Sequence, residues 1–173
     1  TNSFATITKK ADILSPDEFR SLINKNGTDA QKAMLGTENT DWQDVIFQTA
    51  LSTDNYLHFS GGIKGLPYRL SLGYQNQNGV LKTDNLQRTS VGLTLNPVLF
   101  NKHLSINISL KSSLQNARFG NGGAIGGAVS FNPTVPVYSG NEKFGGYWEW
   151  LDVASPTGLV NLAGRNQLGV LEQ

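Results

Sequence analysis

Tyr68-Arg69-Leu70-Ser71-Leu72-Gly73-Tyr74 decides the fold. Successive side chains on a strand point to opposite faces, so Tyr68, Leu70, Leu72 and Tyr74 share one face and Arg69, Ser71 and Gly73 the other. The same alternation recurs in Tyr56 to Ile63, Thr89 to Leu95 and His103 to Leu110. Leu57, Phe59 and Ile63 oppose His58, Ser60 and Gly62; Val91, Leu93 and Leu95 oppose Ser90, Gly92 and Thr94. Leu104, Ile106, Ile108 and Leu110 oppose Ser105, Asn107 and Ser109. An antiparallel sheet with one face in water carries Lys, Glu and other long polar residues there. Here the polar face is made of short side chains, with Arg69 and His58 as its bulky exceptions and Arg69 as its one fixed positive charge. Such a face packs against another body of protein, as the inner wall of a plugged barrel does, while the other face is oily.

The totals agree with thin apolar stripes. Charged residues make up 16% of the chain and the net charge is +1, with no polybasic or acidic block, which argues against a nucleic-acid partner. Cysteine is absent, which excludes a disulfide scaffold and thiolate metal sites. No run approaches the roughly 20 apolar residues of a membrane-spanning helix, so a chain that meets a bilayer does so as strands. The start, Thr1 to Lys10, reads as the tail of a strand entering a loop, with neither Met nor signal peptide, so the sequence is expected to be an internal piece.

Residues 11 to 54 read as a long folded connection. Ser15-Pro16-Asp17-Glu18 places a capping Ser, a Pro in the first turn and a Glu three residues after the cap, and Asn26-Gly27 stops the helix. A second short helix starts at Thr40-Asp41-Trp42-Gln43, with Trp42 in register with Val45 and Ile46 for packing. The meander spans 55 to 117, joined by a tight turn at Lys64-Gly65-Leu66-Pro67, a longer connection from Gln75 to Gln87 and a short one from Asn96 to Lys102. Residues 118 to 173 form a further long connection and the approach to the next strand. Alternating short turns and long loops are the habit of outer-membrane barrels. Tyr68 and Tyr74 sit roughly 20 Å apart along one strand, as interfacial aromatic girdles do, although tyrosines also simply favour strands. The strands legible here are too few to close a barrel, which needs about eight, and plugged ones have up to about twenty-two.

Catalytic and metal chemistry has no assembled set. Gly120 to Gly127 matches neither dinucleotide nor Walker spacing and reads as a flexible or tightly packed loop. His58 and His103 lack metal-ligand spacing, and Asp17, Glu18, Asp41 and Asp44 sit where helix starts favour acids. No cofactor, metal or catalytic residue is assigned, and the chain is read as a non-enzyme. Phe144-Gly145-Gly146-Tyr147-Trp148-Glu149-Trp150 concentrates rings outside any strand pattern. Tyr147, Trp148 and Trp150 are candidate ligand contacts in an external loop, or else a small hydrophobic cluster holding that loop together. Arg69, Ser71, Ser105 and Asn107 are candidate lumen-facing residues, with Arg69 either paired with plug carboxylates or standing as a solvated lumen residue.

The residues also carry a resemblance. Asp12 to Arg20, Asn39 to Phe47, Tyr68 to Tyr74, Asn78-Gly79-Val80-Leu81-Lys82-Thr83, Asn132-Pro133-Thr134-Val135-Pro136-Val137-Tyr138, Phe144 to Trp150 and Leu168 to Gln173 are similar to consecutive landmarks of the SusC/RagA family of TonB-dependent outer-membrane transporters. The resemblance covers nearly the whole chain. It implies a Bacteroidetes-type importer with a twenty-two-stranded barrel, an N-terminal plug and a SusD-type surface lipoprotein as lid. Such an importer takes up oligosaccharides, in some members peptides, with energy passed through TonB. On that template the chain begins after the plug and covers the first barrel strands and their external loops, without the TonB box or the C-terminal strands. The resulting expectation is a mainly β chain, an antiparallel meander forming part of a large transmembrane β-barrel with short helices in long external loops, set in the outer membrane and touching its lipid. The competing expectation is a soluble β-rich carbohydrate-binding module with Tyr147, Trp148 and Trp150 on its binding face.

Overall fold

The structure is a computed structural model that describes every residue except 141, 143, 144, 153–159, 164 and 173; for 151–152 and 160–163 it describes the backbone. Phe144 of the ring-rich stretch and Gln173 of the closing stretch therefore lie outside the described residues. Two compact units emerge. The first holds Thr1–Thr6, Thr49–Val80 and Asp84–Phe119; the second is assembled from Ile7–Gln48, Leu81–Thr83 and the chain from Gly120 onward.

The first unit is the meander. Strands β1 (Asn2–Ala5), β2 (Ala50–Ile63), β3 (Leu66–Asn78), β4 (Asn85–Leu95) and, after a small hairpin of β5 (Val98–Leu99) with β6 (Leu104–Ser105), β7 (Ile108–Arg118) are all antiparallel, and the five-stranded sheet runs β1-β2-β3-β4-β7. Register keeps the two faces separate across the sheet. Leu57 pairs with Leu72 and Phe59 with Leu70; Leu72 continues to Val91, and Leu70 to Leu93 and then Leu110. His58 pairs with Ser71, which continues to Gly92 and Lys111. A one-residue slip in any pair would send an oily side chain onto the small-residue face.

Two tyrosines lie over glycines. A Cβ at Gly73 would sit 2.8 Å from the Tyr56 ring, and one at Gly61 would sit 2.8 Å from the Tyr68 hydroxyl. Each ring thus covers a bare stretch of strand backbone on its own face. The β2–β3 turn is tighter than the sequence predicts: Ile63 already pairs with Leu66, and Lys64 (φ 45°) and Gly65 (φ 81°) alone make the loop. Both positive φ values belong to a two-residue turn whose twist matches the strands it joins.

Three boundaries differ from the sequence reading. The polar stretch Gln75 to Gln87 is mostly strand, since β3 runs to Asn78 and β4 begins at Asn85. Asn85 Nδ2 donates to both Asn76 Oδ1 and Asn78 Oδ1 at 2.8 Å, so cross-strand amide bonds supply what strand propensity does not. The segment expected as one strand from His103 to Leu110 is broken at 106–107, where Ile106 N–H donates to the Pro97 carbonyl and Asn107 Nδ2 to Asn96 Oδ1. The fourth long strand is instead Ile108–Arg118. The sheet also begins at Ala50 rather than near Asn55.

The second unit is built from the connections. It contains α1 (Pro16–Asn26), α2 (Asp29–Ala33), α3 (Trp42–Ile46), α4 (Gly123–Ser130), the short pair β8 (Trp150–Asp152) and β9 (Val160–Ala163), and α5 (Gln167–Glu172). Both partners of the capping box at Ser15 and Glu18 are in place, and a second box at Thr28 and Gln31 starts α2, a helix the sequence reading did not separate. The Ser15 hydroxyl and then its backbone N–H hold the Glu18 carboxyl below its ordinary range. The glycine-rich run expected as a loop is the helix α4. Ala124 and Ala128 bury one side of it, and a Cβ at Gly127 would strike the Gln167 amide, so small residues let α4 and α5 approach closely despite the poor helix propensity of glycine. Among the described residues no helix is long and apolar enough to cross a membrane.

Candidate functional site

Each unit presents one arrangement with chemical character. In the sheet it is the small-residue face. Arg69 lies across from Ser60 and Thr94; Ser71 lies across from His58 and Gly92, with Ser71 Oγ 3.0 Å from His58 Nδ1. Arg69 is not the sole fixed cation there. The longer strands bring Arg88, paired with Gln75 and Gln115, and Lys111, paired with Gly92, onto the same face. Both stood just outside the alternating stripes Thr89 to Leu95 and His103 to Leu110, although Lys111 lay within the meander read as ending at 117, and the inner-face reading did not include them. Arg88 Nε and Nη2 donate to Gln115 Oε1 at 3.0 and 2.6 Å. Together these side chains line a cavity of about 690 Å³ floored by Gly73 and Gly92. Ser105 and Asn107 lie apart from this wall, Ser105 in the β5–β6 hairpin and Asn107 in the break that follows.

In the second unit a hydrophobic core gathers Trp42, Ile46, Leu81, Ala124, Ala128, Phe131, Val135 and Leu171. Four rings follow one another edge to face: Trp42 on Phe131 (4.8 Å), Phe131 on Trp148 (6.3 Å) and Trp148 on Trp150 (4.6 Å). Trp42 is buried, its Nε1 donating to the Asn132 carbonyl at 2.9 Å. Tyr147 is buried and stacked on Tyr138, and its hydroxyl donates to Glu172. That bond first, and burial second, push the Tyr147 phenol up to about 12. Trp148 and Trp150 are half-buried; both line a cavity of about 400 Å³ with Met34, Leu35 and Val135, and Trp150 also lines a neighbouring one of about 450 Å³.

Polar side chains that sequence reasoning gave no role hold this unit together. Arg20 reaches across from α1, Nε donating to the Gly36 carbonyl (3.1 Å), Nη1 to Asp17 (2.8 Å) and Asn39 (2.7 Å), and Nη2 to the Glu38 carbonyl. Fully buried Thr134 accepts from Gly36 N–H at 2.9 Å and donates to Asn132 Oδ1 at 2.7 Å. Fully buried Asn166 donates to the Val137 and Trp148 carbonyls, while its Oδ1 accepts from Leu168 and Gly169 N–H and so caps α5. Its own N–H donates to the carboxylate of buried Glu149. A charged residue inside a run of rings was the available signal for this network. Lys10 contacts Asp44 and, at 2.9 Å, Asp41; these two hydrogen bonds, Asp44 first, raise the ammonium above its ordinary range. Partial burial pulls the Asp41 carboxyl upward, but Lys10 and the Asp44 and Gln43 amides outweigh it and leave it lowered. They stand beside a cavity of about 880 Å³ lined by Ile13, Leu14, Phe19, Trp42, Val129 and Pro133. Among the described residues no cluster of His, Asp or Glu could hold a metal ion.

No protein-family model matches the chain. Curated relatives do. The chain is 45% identical over 163 residues to the TonB-dependent receptor SusC of Bacteroides thetaiotaomicron, an alignment covering 92% of this chain and 16% of that protein. It is 27% identical over 152 residues to the TonB-dependent receptor P3 of Formosa agariphila, covering 82% and 15%, and 26% identical over 136 residues to receptor P26 of the same organism, covering 72% and 12%. The chain thus spans about a sixth or less of the length of these relatives. An antiparallel meander with one oily and one small-residue face fits part of a β-barrel, and with this identity the chain belongs to the SusC family of TonB-dependent outer-membrane receptors.

Proposed function

We propose that this chain supplies wall strands and folded external loops to an importer that carries oligosaccharides, rather than peptides, across the outer membrane. It works with a SusD-type surface lipoprotein and draws energy through TonB. The observation that carries the reading is the register-locked separation of faces: oily side chains in cross-strand rows on one side, and small ones with Arg69, Ser71, Arg88 and Lys111 on the other. The first set suits lipid and the second a filled lumen. A soluble sugar-binding module is disfavoured by the same rows, because Leu57, Phe59, Leu110 and Leu114 stay exposed in a sheet that covers neither face itself.

The chain's role is conduction rather than chemistry. Of the three rings proposed for ligand contact, Tyr147 is buried and bonded to Glu172, so stacking on sugar faces falls to Trp148 and Trp150, which keep exposed surface at their cavities. The test uses the full-length receptor in its own cells. Deleting its gene should abolish uptake of one class of labelled oligosaccharide, and disabling TonB or removing the lipoprotein should do the same. Oligosaccharide uptake untouched by all three lesions discards the proposal.

A further inference from the structure

Met34 is the chain's single methionine. It caps the end of α2 and is 54% exposed, so the core of the second unit gains little from it. Its place is nonetheless particular. Both ring-bearing cavities share Met34, Leu35 and Trp150 in their linings; the larger one opens beyond them onto Phe131 and the smaller onto Trp148. The thioether therefore belongs to the wall between the two, beside the rings that keep exposed surface.

The backbone at Met34 is pinned. Its N–H donates to the Gln31 carbonyl at 3.2 Å, and its carbonyl accepts from Asn132 Nδ2 at 3.3 Å. Two residues on, Gly36 N–H donates to Thr134 Oγ1 at 2.9 Å and the Gly36 carbonyl accepts from Arg20 Nε at 3.1 Å. A Cβ at Gly36 would strike the Thr134 carbonyl, so the segment lies tight against buried Thr134. Whatever chemistry alters the Met34 sulfur, the altered residue stays at the cavity mouths.

An exposed thioether reacts with hydroperoxides. Its sulfur lone pair attacks one peroxide oxygen, the S–O bond forms as the O–O bond breaks, and the peroxide leaves as water or an alcohol; sulfur is oxidised by two electrons and the peroxide reduced by two. Cysteine is absent, so no thiol of this chain competes for the oxidant. The product replaces a flexible apolar side chain with a polar one. We propose that Met34 is a peroxide-sensitive switch on the ring-lined cavities: the thioether admits the sugar, the sulfoxide weakens its binding, and enzymatic reduction restores it. The inference rests on the assignment of sugar stacking to Trp148 and Trp150 and adds its regulation. A sugar that stacks on those rings displaces water from the wall beside them, and a sulfoxide oxygen there makes that desolvation costly.

The test uses the purified full-length receptor and the labelled oligosaccharide whose uptake depends on it. Brief treatment with hydrogen peroxide should add one oxygen to Met34, read by mass spectrometry of the peptide that carries it, and should raise the Kd for that oligosaccharide by about tenfold. Methionine sulfoxide reductases should reverse both changes. Met34→Leu should bind as the parent does and hold its Kd through the same treatment, which separates Met34 from methionines elsewhere in the receptor. Met34→Gln, polar from the start, should bind as weakly as the oxidised parent. A Met34 that stays unoxidised, a Kd indifferent to its oxidation, or a Met34→Leu receptor as sensitive as the parent overturns the proposal. The stacking assignment is checked apart from it. If Trp148→Ala and Trp150→Ala both leave the untreated Kd unchanged, that assignment fails and takes the switch with it.

Discussion

The two units handle apolar side chains in opposite ways. Among the described residues every buried apolar residue except Ala50 lies in the second unit, where Trp42 is 1% and Ile46 0% exposed. In the sheet, Leu57 is 52%, Leu110 62% and Leu114 68% exposed, with no core on either side. Hydrophobic burial needs water to be escaped from. The second unit closes a core against water; on the proposed wall reading the sheet faces lipid, where exposing leucine costs nothing and pairing every backbone amide is the overriding demand. Neighbouring stretches of one chain obey different solvents, and the alternation between them follows the connections.

The sharpest way to break that comparison is to remove the anchor of the water-facing core. Trp42→Ala deletes a buried ring together with its bond to Asn132 and its edge contact with Phe131, and should cost about 3–5 kcal/mol within the second unit. Amide exchange on the full-length receptor should show loss of protection around α3, α4 and α5 with the β2–β4 ladder unchanged. Equal loss in both would mean that the units do not unfold separately. The matching lesion in the sheet is a charge on its oily face. Leu93→Arg should cost about 2–4 kcal/mol in the bilayer, while Ser90→Arg on the other face should leave the strand pairing intact and clash only with whatever fills the lumen. Urea unfolding from lipid vesicles reads the first, and comparable penalties for insertion of the two barrels would erase the distinction between faces.

How much of this was legible in the residues follows the same division. Period-two alternation specifies a strand because only the nearest neighbours matter, so the stripes around Tyr68–Tyr74 and their antiparallel pairing could be read directly. What could not be read was where pairing outlasts the oily stripe. Gln75 to Asn78 looks like loop by composition, yet Asn85 ties it into the ladder, and the same extension of β4 and β7 put Arg88 and Lys111 on the wall. The second unit was legible only where its signals were local, as at the Ser15 capping box. Its other determinants join residues far apart in sequence: Gly36 to Thr134, Trp42 to Asn132, Gly127 against Gln167. A glycine-rich helix packed on α5 has no signature of its own in the run Gly120 to Gly127.

Arg20 sharpens the comparison from the polar side. In the sheet, hydrogen bonding is a repeated ladder that tolerates losing any one side chain; in the second unit one guanidinium serves Gly36, Glu38, Asn39 and Asp17 at once. Arg20→Lys keeps the charge but not the planar fork, and should cost about 1.5–3 kcal/mol, because the carbonyls of Gly36 and Glu38 lose a charged donor. Limited proteolysis between α2 and α3 should speed up accordingly. An unchanged rate would assign the hold on residues 34 to 39 to Thr134 and Thr40, which also bond across to that segment and its neighbours.

The smallest expected effect concerns the buried phenol. Tyr147 donates to Glu172 on α5, and its phenol is pushed up to about 12 against an ordinary value of about 10. A group whose folded value is raised contributes stability that is complete below its unfolded value. The Tyr147 contribution should therefore be whole up to about pH 10 and disappear as pH climbs through about 12. Tyr147→Phe keeps the stacking on Tyr138 and removes only the hydroxyl, and the Glu172 left behind is exposed, so the cost should be about 1 kcal/mol rather than that of an orphaned buried charge. Alkaline titration of tyrosinate absorbance should lose one late phenol in the variant, and its stability should fall less steeply between those two pH values than that of the parent. If the late phenol persists after the substitution, the clasp between Tyr147 and α5 is not what raises it, and the closure of the second unit must rest on Asn166 and the ring stack alone.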